Sequence, residues 1–151
     1  MKYFLPLLLL VSICWAQNKT EPDGDEMVFI VNSGNASAEL TANEVRDYYF
    51  KRKRVWPSGE SVRFIDRSIT SHIHDVFVRT ILRKSNSEVE LFWIGQKLYT
   101  GDSAPLRETS DSSTIQFVSS FKGAIGYISS ASAITDQNVK VLKVTGLKKE
   151  E

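Results

Sequence analysis

The sequence predicts an α/β fold in which helices flank a mostly parallel sheet. Short apolar runs typical of buried strands alternate with segments whose apolar residues recur at helical spacing. Serine or threonine stands where several helices would begin, and turn-forming residues separate the segments. Because strands that alternate with helices pack as a helix-covered sheet, these observations together indicate the α/β class.

The N-terminal residues predict an export signal that is not part of the fold. Lys2 is followed by an apolar stretch too short to span a bilayer, and Ala16 suits cleavage. We therefore assign residues 1–16 to a signal peptide. Anchoring as a lipoprotein through Cys14 is the weaker alternative, because bulky Ile13 precedes it where a small residue is usual.

Composition narrows the function classes. The 19 Lys and Arg residues nearly balance the 18 Asp and Glu residues, so nothing indicates a nucleic-acid partner. The only cysteine belongs to the signal, which excludes a disulfide framework in the remaining chain. We expect a disordered lead-in over residues 17–26, one domain over residues 27–147 and a charged tail over residues 148–151.

The first strand and first helix are predicted close to the start of the domain. Residues 27–31 form an apolar run, and the Asn-Ser-Gly-Asn turn after it is either a plain loop or a backbone cradle for an anion. A capping box at Thr41 and Glu44 then starts a short helix. The apolar stripe of this helix consists of Val45, Tyr48 and Tyr49.

A basic run follows this helix at residues 51–54, and Trp56 comes next. The simplest interpretation is a solvated loop between helix and strand. The alternative is a surface that steers an anionic ligand or contacts an acidic partner.

Residues 62–82 combine a strand, a polar turn and a helix. The strand begins at Val62, and the polar turn runs from Asp66 to Ser71 with an arginine and three hydroxyls. Such a turn places hydroxyls and free backbone N–H groups at one point, as oxyanion sites do. The alternative is a solvated turn at Asp66 and Arg67, with a hydroxyl residue that only caps the helix.

The remaining elements follow in order. A second capping box, at Ser85 and Glu88, begins a helix that is apolar around most of its girth, so we expect it to be well buried. Caps around Ser110 begin another helix, which we expect Gly123 to end. Strands are predicted over residues 124–129 and 138–144.

The sequence offers no support for catalysis, a cofactor or a metal. His72 and His74 are two residues apart on a helix, so they do not face one ion. The chain contains no G-x-S-x-G, P-loop or G-x-G-x-x-G motif. We therefore expect no enzymatic activity and no cofactor.

Several segments in order resemble the phosphate substrate-binding proteins of ABC transporters. They read LTANEVRDYYFKRKRVWPSG, VRFIDRS, FVRTIL, LFWIGQKLYTG, APLRE and GAIGYIS. The resemblance extends from residue 27 to about residue 144. It implies a single three-layer lobe of a type II periplasmic binding protein, located in the periplasm.

The resemblance also implies a site and a role. Phosphate or a similar oxyanion would be bound by Arg67, Ser68, Thr70 and Ser71, for uptake or sensing and without catalysis. Ile69 departs from the family, which has an aspartate there that accepts a proton from hydrogen phosphate. The glycines of the family motif are also absent, which limits close approach of the backbone to a ligand.

The chain length suits one lobe, whereas full-length relatives close two lobes over phosphate. Expected partners are therefore an ABC transporter permease, another envelope protein, or a second copy in a homodimer. The alternative function is a degenerate lobe that serves as a protein-interaction module in the cell envelope. In that case residues 51–54 and Trp56 would form the docking surface.

Overall fold

The computed structural model describes residues 26–147, in which helices cover both faces of a six-stranded sheet. The strands are β1 (Met27–Asn32), β2 (Glu39–Thr41), β3 (Arg63–Arg67), β4 (Leu106–Glu108), β5 (Ala124–Ser129) and β6 (Val139–Thr145). The helices are α1 (Ala42–Tyr49), α2 (His72–Phe77), α3 (Asn86–Tyr99) and α4 (Asp111–Ser120), and a π-helical turn, Val78–Leu82, continues α2. The predicted signal peptide, nearly all of the lead-in and the charged tail lie outside the described residues.

The sheet has the order β2-β6-β1-β5-β3-β4, and every strand except β1 runs in the same direction. This arrangement confirms the predicted mostly parallel sheet. Strands β2 and β4 were not predicted. Each has three residues, which is too short for a periodic pattern to distinguish it from a loop.

Two apolar clusters confirm the three-layer architecture. The larger lies between one face of the sheet and α1, α2 and α3, and it is rich in aromatic rings. Within it the rings of Phe77 and Tyr127 stack with centroids 4.3 Å apart. The smaller cluster includes Ile65, Val118 and Ile128, and it lies on the opposite face under α4. Successive residues of β3 therefore point into different layers.

Both predicted capping boxes are confirmed. At the start of α1, the N–H of Glu44 donates to Thr41 Oγ1 at 3.2 Å, and the N–H of Thr41 donates to the Glu44 carboxylate at 2.9 Å. Ser85 and Glu88 make the same reciprocal pair at the start of α3. These bonds satisfy backbone donors that a helix start otherwise leaves free, which is why so short a helix as α1 is well defined.

The prediction that α3 is well buried is wrong. Within α3 only Val89 and Trp93 are buried, whereas Leu91, Ile94 and Leu98 are 67%, 57% and 78% exposed. A helix in an outer layer buries one face against the layer beneath it, whatever the composition of its other face. Within residues 26–147, no helix is both long and apolar enough to cross a membrane.

Gly123 does not cap α4, contrary to prediction. The helix ends at Ser120, and Phe121 already has an extended backbone. Gly123 is required for a different reason, since a Cβ atom there would lie 2.0 Å from the carbonyl oxygen of Ser61. Its own carbonyl accepts a hydrogen bond from Trp56 Nε1 at 2.9 Å, so the glycine lets the start of β5 approach β3 closely.

Candidate functional site

Strand β3 extends further than the sequence predicts and carries Asp66 and Arg67 inside the fold. Both side chains are buried, so the interpretation of these residues as a solvated turn is wrong. Because neighbouring strand residues face opposite sides, Asp66 points into the layer of α2 and Arg67 points toward α4. The carboxyl end of β3 therefore presents an acid and a base to two different environments.

Asp66 is the centre of a buried hydrogen-bond network. The phenol of Tyr49 donates to Asp66 Oδ2 at 3.0 Å, and the phenol of Tyr127 donates to Oδ1. His74 Nδ1 lies 3.0 Å from Oδ1, and the N–H of Arg67 donates to the same oxygen at 2.8 Å. These contacts join α1, β3, α2 and β5 through one carboxylate.

The network keeps Asp66 ionised despite its burial. Burial alone would raise the pKa of Asp66, but the hydrogen bond and charge of His74, with the donors from Tyr127 and Arg67, outweigh it and lower the pKa. Burial and the negative charge of Asp66 raise the pKa of both Tyr49 and Tyr127. The phenols therefore remain protonated donors at neutral pH.

His74 is engaged in this network and is not presented as a metal ligand. Its Nδ1 lies 3.1 Å from the Tyr127 hydroxyl as well as close to Asp66, and the ring is buried. Over the described range 26–147, no group of three or more His, Cys, Asp or Glu residues is arranged to hold a metal ion.

Arg67 is a buried cation with an incomplete set of partners. Its Nη1 forms an ion pair with Asp111 Oδ1, and its Nη2 lies 3.5 Å from the carbonyl oxygen of Thr109. The Nε atom is buried and has no hydrogen-bond partner among residues 26–147. A buried charged donor without an acceptor is costly, so an oxygen that reached this N–H would be stabilising.

Asp111, the first residue of α4, anchors the Arg67 side of the site. Its Oδ2 accepts from the N–H of Ser129 at 3.1 Å and from the Ser132 hydroxyl. The carboxylate thus joins β3, α4 and the segment after β5. The sequence indicated this residue only as one of the polar residues around Ser110 that cap the start of a helix.

The three predicted hydroxyl residues divide into two roles. Ser68 and Thr70 lie together, with their hydroxyl oxygens 3.0 Å apart, at the surface end of β3. Ser71 is the N-cap of α2 and accepts from the N–H of His74 at 3.3 Å, as the capping alternative predicted. Ile69, between the first two, is about half exposed. The structure thus brings Ser68 and Thr70 together, while the Arg67 guanidinium contacts the α4 side.

The turn after β1 behaves as a plain loop. Because β1 runs against the other strands, this turn lies at the opposite end of the strands from residues 67–71. The Asn32 side chain accepts from the N–H of Gly34 at 2.9 Å and donates to the carbonyls of Val118 and Ser119 at 3.0 Å. It therefore ties the turn to the end of α4.

The basic run is paired within the chain, and Trp56 is not available to a partner. Arg54 makes two hydrogen bonds to the Asp102 carboxylate at 2.7 and 3.1 Å, and Lys51 donates to the carbonyl of Ser103 at 2.7 Å. Trp56 is only 2% exposed. The prediction that Trp56 forms part of a docking surface is therefore wrong.

Comparison with solved structures identifies the architecture. The chain is similar to an ABC-type phosphate transport receptor from Vibrio cholerae, with 16% identity and a TM-score of 0.62 over 82% of this chain and 48% of that one. It is similar to a phosphate ABC transporter substrate-binding protein from Clostridium perfringens, solved with bound phosphate. The identity is 21%, and the TM-score is 0.61 over 81% of this chain and 46% of that one. It is also similar to PstS from Borrelia burgdorferi, with 15% identity and a TM-score of 0.63 over 82% of this chain and 49% of that one.

These similarities confirm the predicted fold, which is that of one lobe of a phosphate substrate-binding protein. The chain spans about half the length of the solved structures it matches. No family model matches the chain, and no curated protein matches it in sequence.

Proposed function

We propose that the protein is an exported lobe that binds phosphate or a similar oxyanion at the carboxyl end of β3, without catalysis of its own. The observation that carries this proposal is Arg67, a buried guanidinium whose Nε donor lacks a partner at a strand end. In α/β sheets, ligands bind at the carboxyl ends of the strands. The similar solved structures are described as phosphate-binding or phosphate-transport proteins, which supports phosphate as the oxyanion.

Arg67 supplies the charge and the paired donors for the anion. A guanidinium has five N–H donors in a planar fork that matches a tetrahedral oxyanion. The present contacts use Nη1 for Asp111 and, at the limit of hydrogen bonding, Nη2 for Thr109. An oxyanion oxygen at Nε would complete the set of acceptors around this buried cation.

The hydroxyl residues supply neutral donors on the solvent side. Ser68 and Thr70 now bond to each other, and each hydroxyl can rotate to donate to a ligand oxygen instead. Ser71 contributes by holding the start of α2, since it caps the N–H of His74. In this account Arg67, Ser68 and Thr70 contact the anion, and Ser71 positions the backbone beside it.

Asp111 offers the acceptor that the family places at the position of Ile69. A carboxylate beside an anion repels it unless the two share a proton. Hydrogen phosphate carries that proton and sulfate at neutral pH does not. Because Asp111 is already beside Arg67, we expect it to favour phosphate over sulfate.

The lobe formed by residues 26–147 by itself covers one side of the anion, so we expect this lobe alone to bind the anion weakly. Solvent competes for the ligand charge where the site is open. A dissociation constant on the order of 1 mM corresponds to about −4 kcal/mol, which is reasonable for a few charge-assisted hydrogen bonds. A transporter permease or another envelope protein would supply the missing contacts in uptake or sensing, in the periplasm after cleavage of the signal peptide.

The proposal is tested by titrating phosphate and sulfate into the protein and measuring heat and thermal stability. Phosphate should give saturable heat and raise the melting temperature, and Arg67→Gln should abolish both effects. Arg79→Gln is a matched control, because it removes the same charge from an exposed pair with Asp75. If neither anion changes stability at millimolar concentration, the proposal fails.

The second candidate function, a protein-interaction module of the envelope, is supported by part of the basic run. Arg52 and Lys53 are exposed and make long ion pairs, of 3.6 Å with Asp47 and 3.9 Å with Glu44. The Arg52 guanidinium also lies over the Phe50 ring, 5.2 Å from its centroid. Such long ion pairs hold their side chains weakly, so an acidic partner could displace them. If this function is correct, replacing Arg52 and Lys53 with Gln should remove a partner captured from envelope extract, and an unchanged set of partners would contradict it.

A further inference from the structure

We propose that the exposed face of α3 is an interface with a second copy of this chain, in which the two α3 helices pack antiparallel about a two-fold axis. We define the α3 stripe as Leu91, Ile94, Gly95 and Leu98, which follow helical spacing along one side of the helix. This inference is independent of the proposed anion site.

The α3 stripe is apolar and uncovered along its length. Leu91, Ile94 and Leu98 are all more than half exposed. Single exposed apolar residues are ordinary, but a row of them along two turns of one helix is typical of an interaction face. A groove of about 360 Å³ runs beside the stripe and is lined in part by Trp93, Lys97 and Ala104, so the face can receive protruding side chains.

Within the described part of the chain, no neighbouring group requires a glycine at position 95. It lies inside the helix, where glycine is less stable than alanine because its backbone loses more conformational freedom on folding. Apart from its chain neighbours and the nearby backbone of α3, a Cβ atom at this position would meet no atom of residues 26–147 within 4 Å. Small residues in the middle of a helix face allow another helix backbone to approach closely, which gives this glycine a function in an interface.

The charges beside the stripe favour a second copy over any other partner. Glu90 and Lys97 flank the centre at Ile94 and Gly95, one toward each end of the helix. In an antiparallel pair about that centre, Glu90 faces the partner's Lys97, Leu91 faces the partner's Leu98, and each contact occurs twice. A surface that complements itself in this way is what a two-fold dimer requires.

The present contacts of these two residues leave room for the intermolecular pairs. Glu90 uses one carboxylate oxygen, Oε1, for Arg107, so Oε2 can accept from the partner's Lys97. Lys97 Nζ donates to Ser103 Oγ at 3.2 Å and has two further N–H donors. Arg107 and Ser103 therefore hold the two charges in position at the edge of the stripe.

The first test is the mass of the protein in solution. Sedimentation velocity of the purified protein should show a concentration-dependent shift from monomer to twice the monomer mass. Ile94→Glu should return it to the monomer, and Val141→Glu on β6 should not, although Val141 is exposed to nearly the same extent, 55% against 57%. A monomer at every concentration, or a dimer that survives Ile94→Glu, would overturn the proposal.

The second test exploits the two-fold symmetry. Glu90→Lys and Lys97→Glu should each weaken the dimer at least tenfold when measured alone, because each places like charges opposite each other. Mixing the two variants should restore a dimer, since each then meets a complementary chain at both contacts. If the mixture stays as monomeric as its components, the antiparallel arrangement is wrong.

Discussion

Asp66 and Arg67 are neighbours in sequence and in strand β3, yet their side chains differ in how fully their polar atoms are hydrogen-bonded. Asp66 receives hydrogen bonds from two phenols and one backbone N–H. It also contacts the imidazole of His74 and forms an ion pair with Arg107, whose Nε lies 3.6 Å from Asp66 Oδ2. Arg67 has one strong partner, Asp111, and keeps a buried Nε without an acceptor. A complete network stabilises one structure, whereas an incomplete one can gain from a ligand.

This difference separates a structural role from a binding role at the end of one strand. The Asp66 carboxylate links four elements of the larger core cluster and is closed to solvent. We infer that it fixes the position of α2 relative to β3. Arg67 and the hydroxyls of Ser68 and Thr70 then occupy a strand end whose geometry is already fixed.

The largest expected effect comes from removing the Asp66 carboxylate. Asp66→Ala should lower the free energy of unfolding by about 3 kcal/mol, because it leaves His74 and two phenols buried without their acceptor. Chemical denaturation measures the change. Asp47→Ala is the control, since its ion pair with Arg52 lies at the surface and should change stability by less than about 1 kcal/mol. Equal effects from both variants would contradict the role assigned to Asp66.

The same carboxylate should contribute to the loss of stability in acid. Its pKa is lower in the folded protein than in the unfolded chain, so the unfolded state binds more protons as pH falls. The stabilisation is fully present above the unfolded pKa, near 4, and is lost as pH falls through the folded value. The free energy of unfolding, measured between neutral pH and pH 2, should therefore fall less steeply toward low pH in Asp66→Asn than in the unaltered protein. Parallel curves would show that Asp66 does not carry this dependence.

An intermediate effect is expected on the Arg67 side. Asp111→Asn should lower stability by about 1 to 2 kcal/mol, since the amide keeps the size but weakens the bond to a buried cation. It should also reduce any preference for phosphate over sulfate, because the amide cannot take a proton from hydrogen phosphate. Competition titrations with the two anions measure this preference, and an unchanged ratio would remove Asp111 from the proposed site.

The smallest effect on stability is expected at the solvent side. Ser68→Ala removes a half-buried hydroxyl whose side-chain partner is the hydroxyl of Thr70. The free energy of unfolding should therefore change by less than about 0.5 kcal/mol. Phosphate affinity should fall about fivefold, corresponding to one lost hydrogen bond of about 1 kcal/mol. A loss of stability without a loss of affinity would assign Ser68 to the fold instead of the site.

Much of the fold was predictable from local patterns. The apolar runs located β1, β3, β5 and β6, and the capping boxes located the starts of α1 and α3. Strands β2 and β4 were missed because three residues carry no periodicity. The burial of α3 was overpredicted, since composition identifies apolar residues but does not show which side of a helix the next layer covers.

The site was predictable only in part. The strand-to-helix turn located Arg67, Ser68 and Thr70 at the end of β3, and it indicated a hydroxyl cap, which the structure shows to be Ser71. That these residues bind an anion stays a prediction. The environment of the turn was not predictable, because its partners are distant in sequence. Tyr127 is 61 residues from Asp66, and Asp111 is 44 residues from Arg67. Only the folded sheet brings these side chains together.

Binding of an oxyanion beside Arg67 and the hydroxyls of Ser68 and Thr70 can be followed directly in solution. The measurement records the backbone amide signals of the isotopically labelled protein in NMR spectra while phosphate is added. We expect saturable shifts concentrated at residues 67–71 and near Asp111, and we expect Arg67→Gln to abolish them. Shifts confined to the basic run at residues 51–54, or no shifts at millimolar phosphate, would contradict binding at this site.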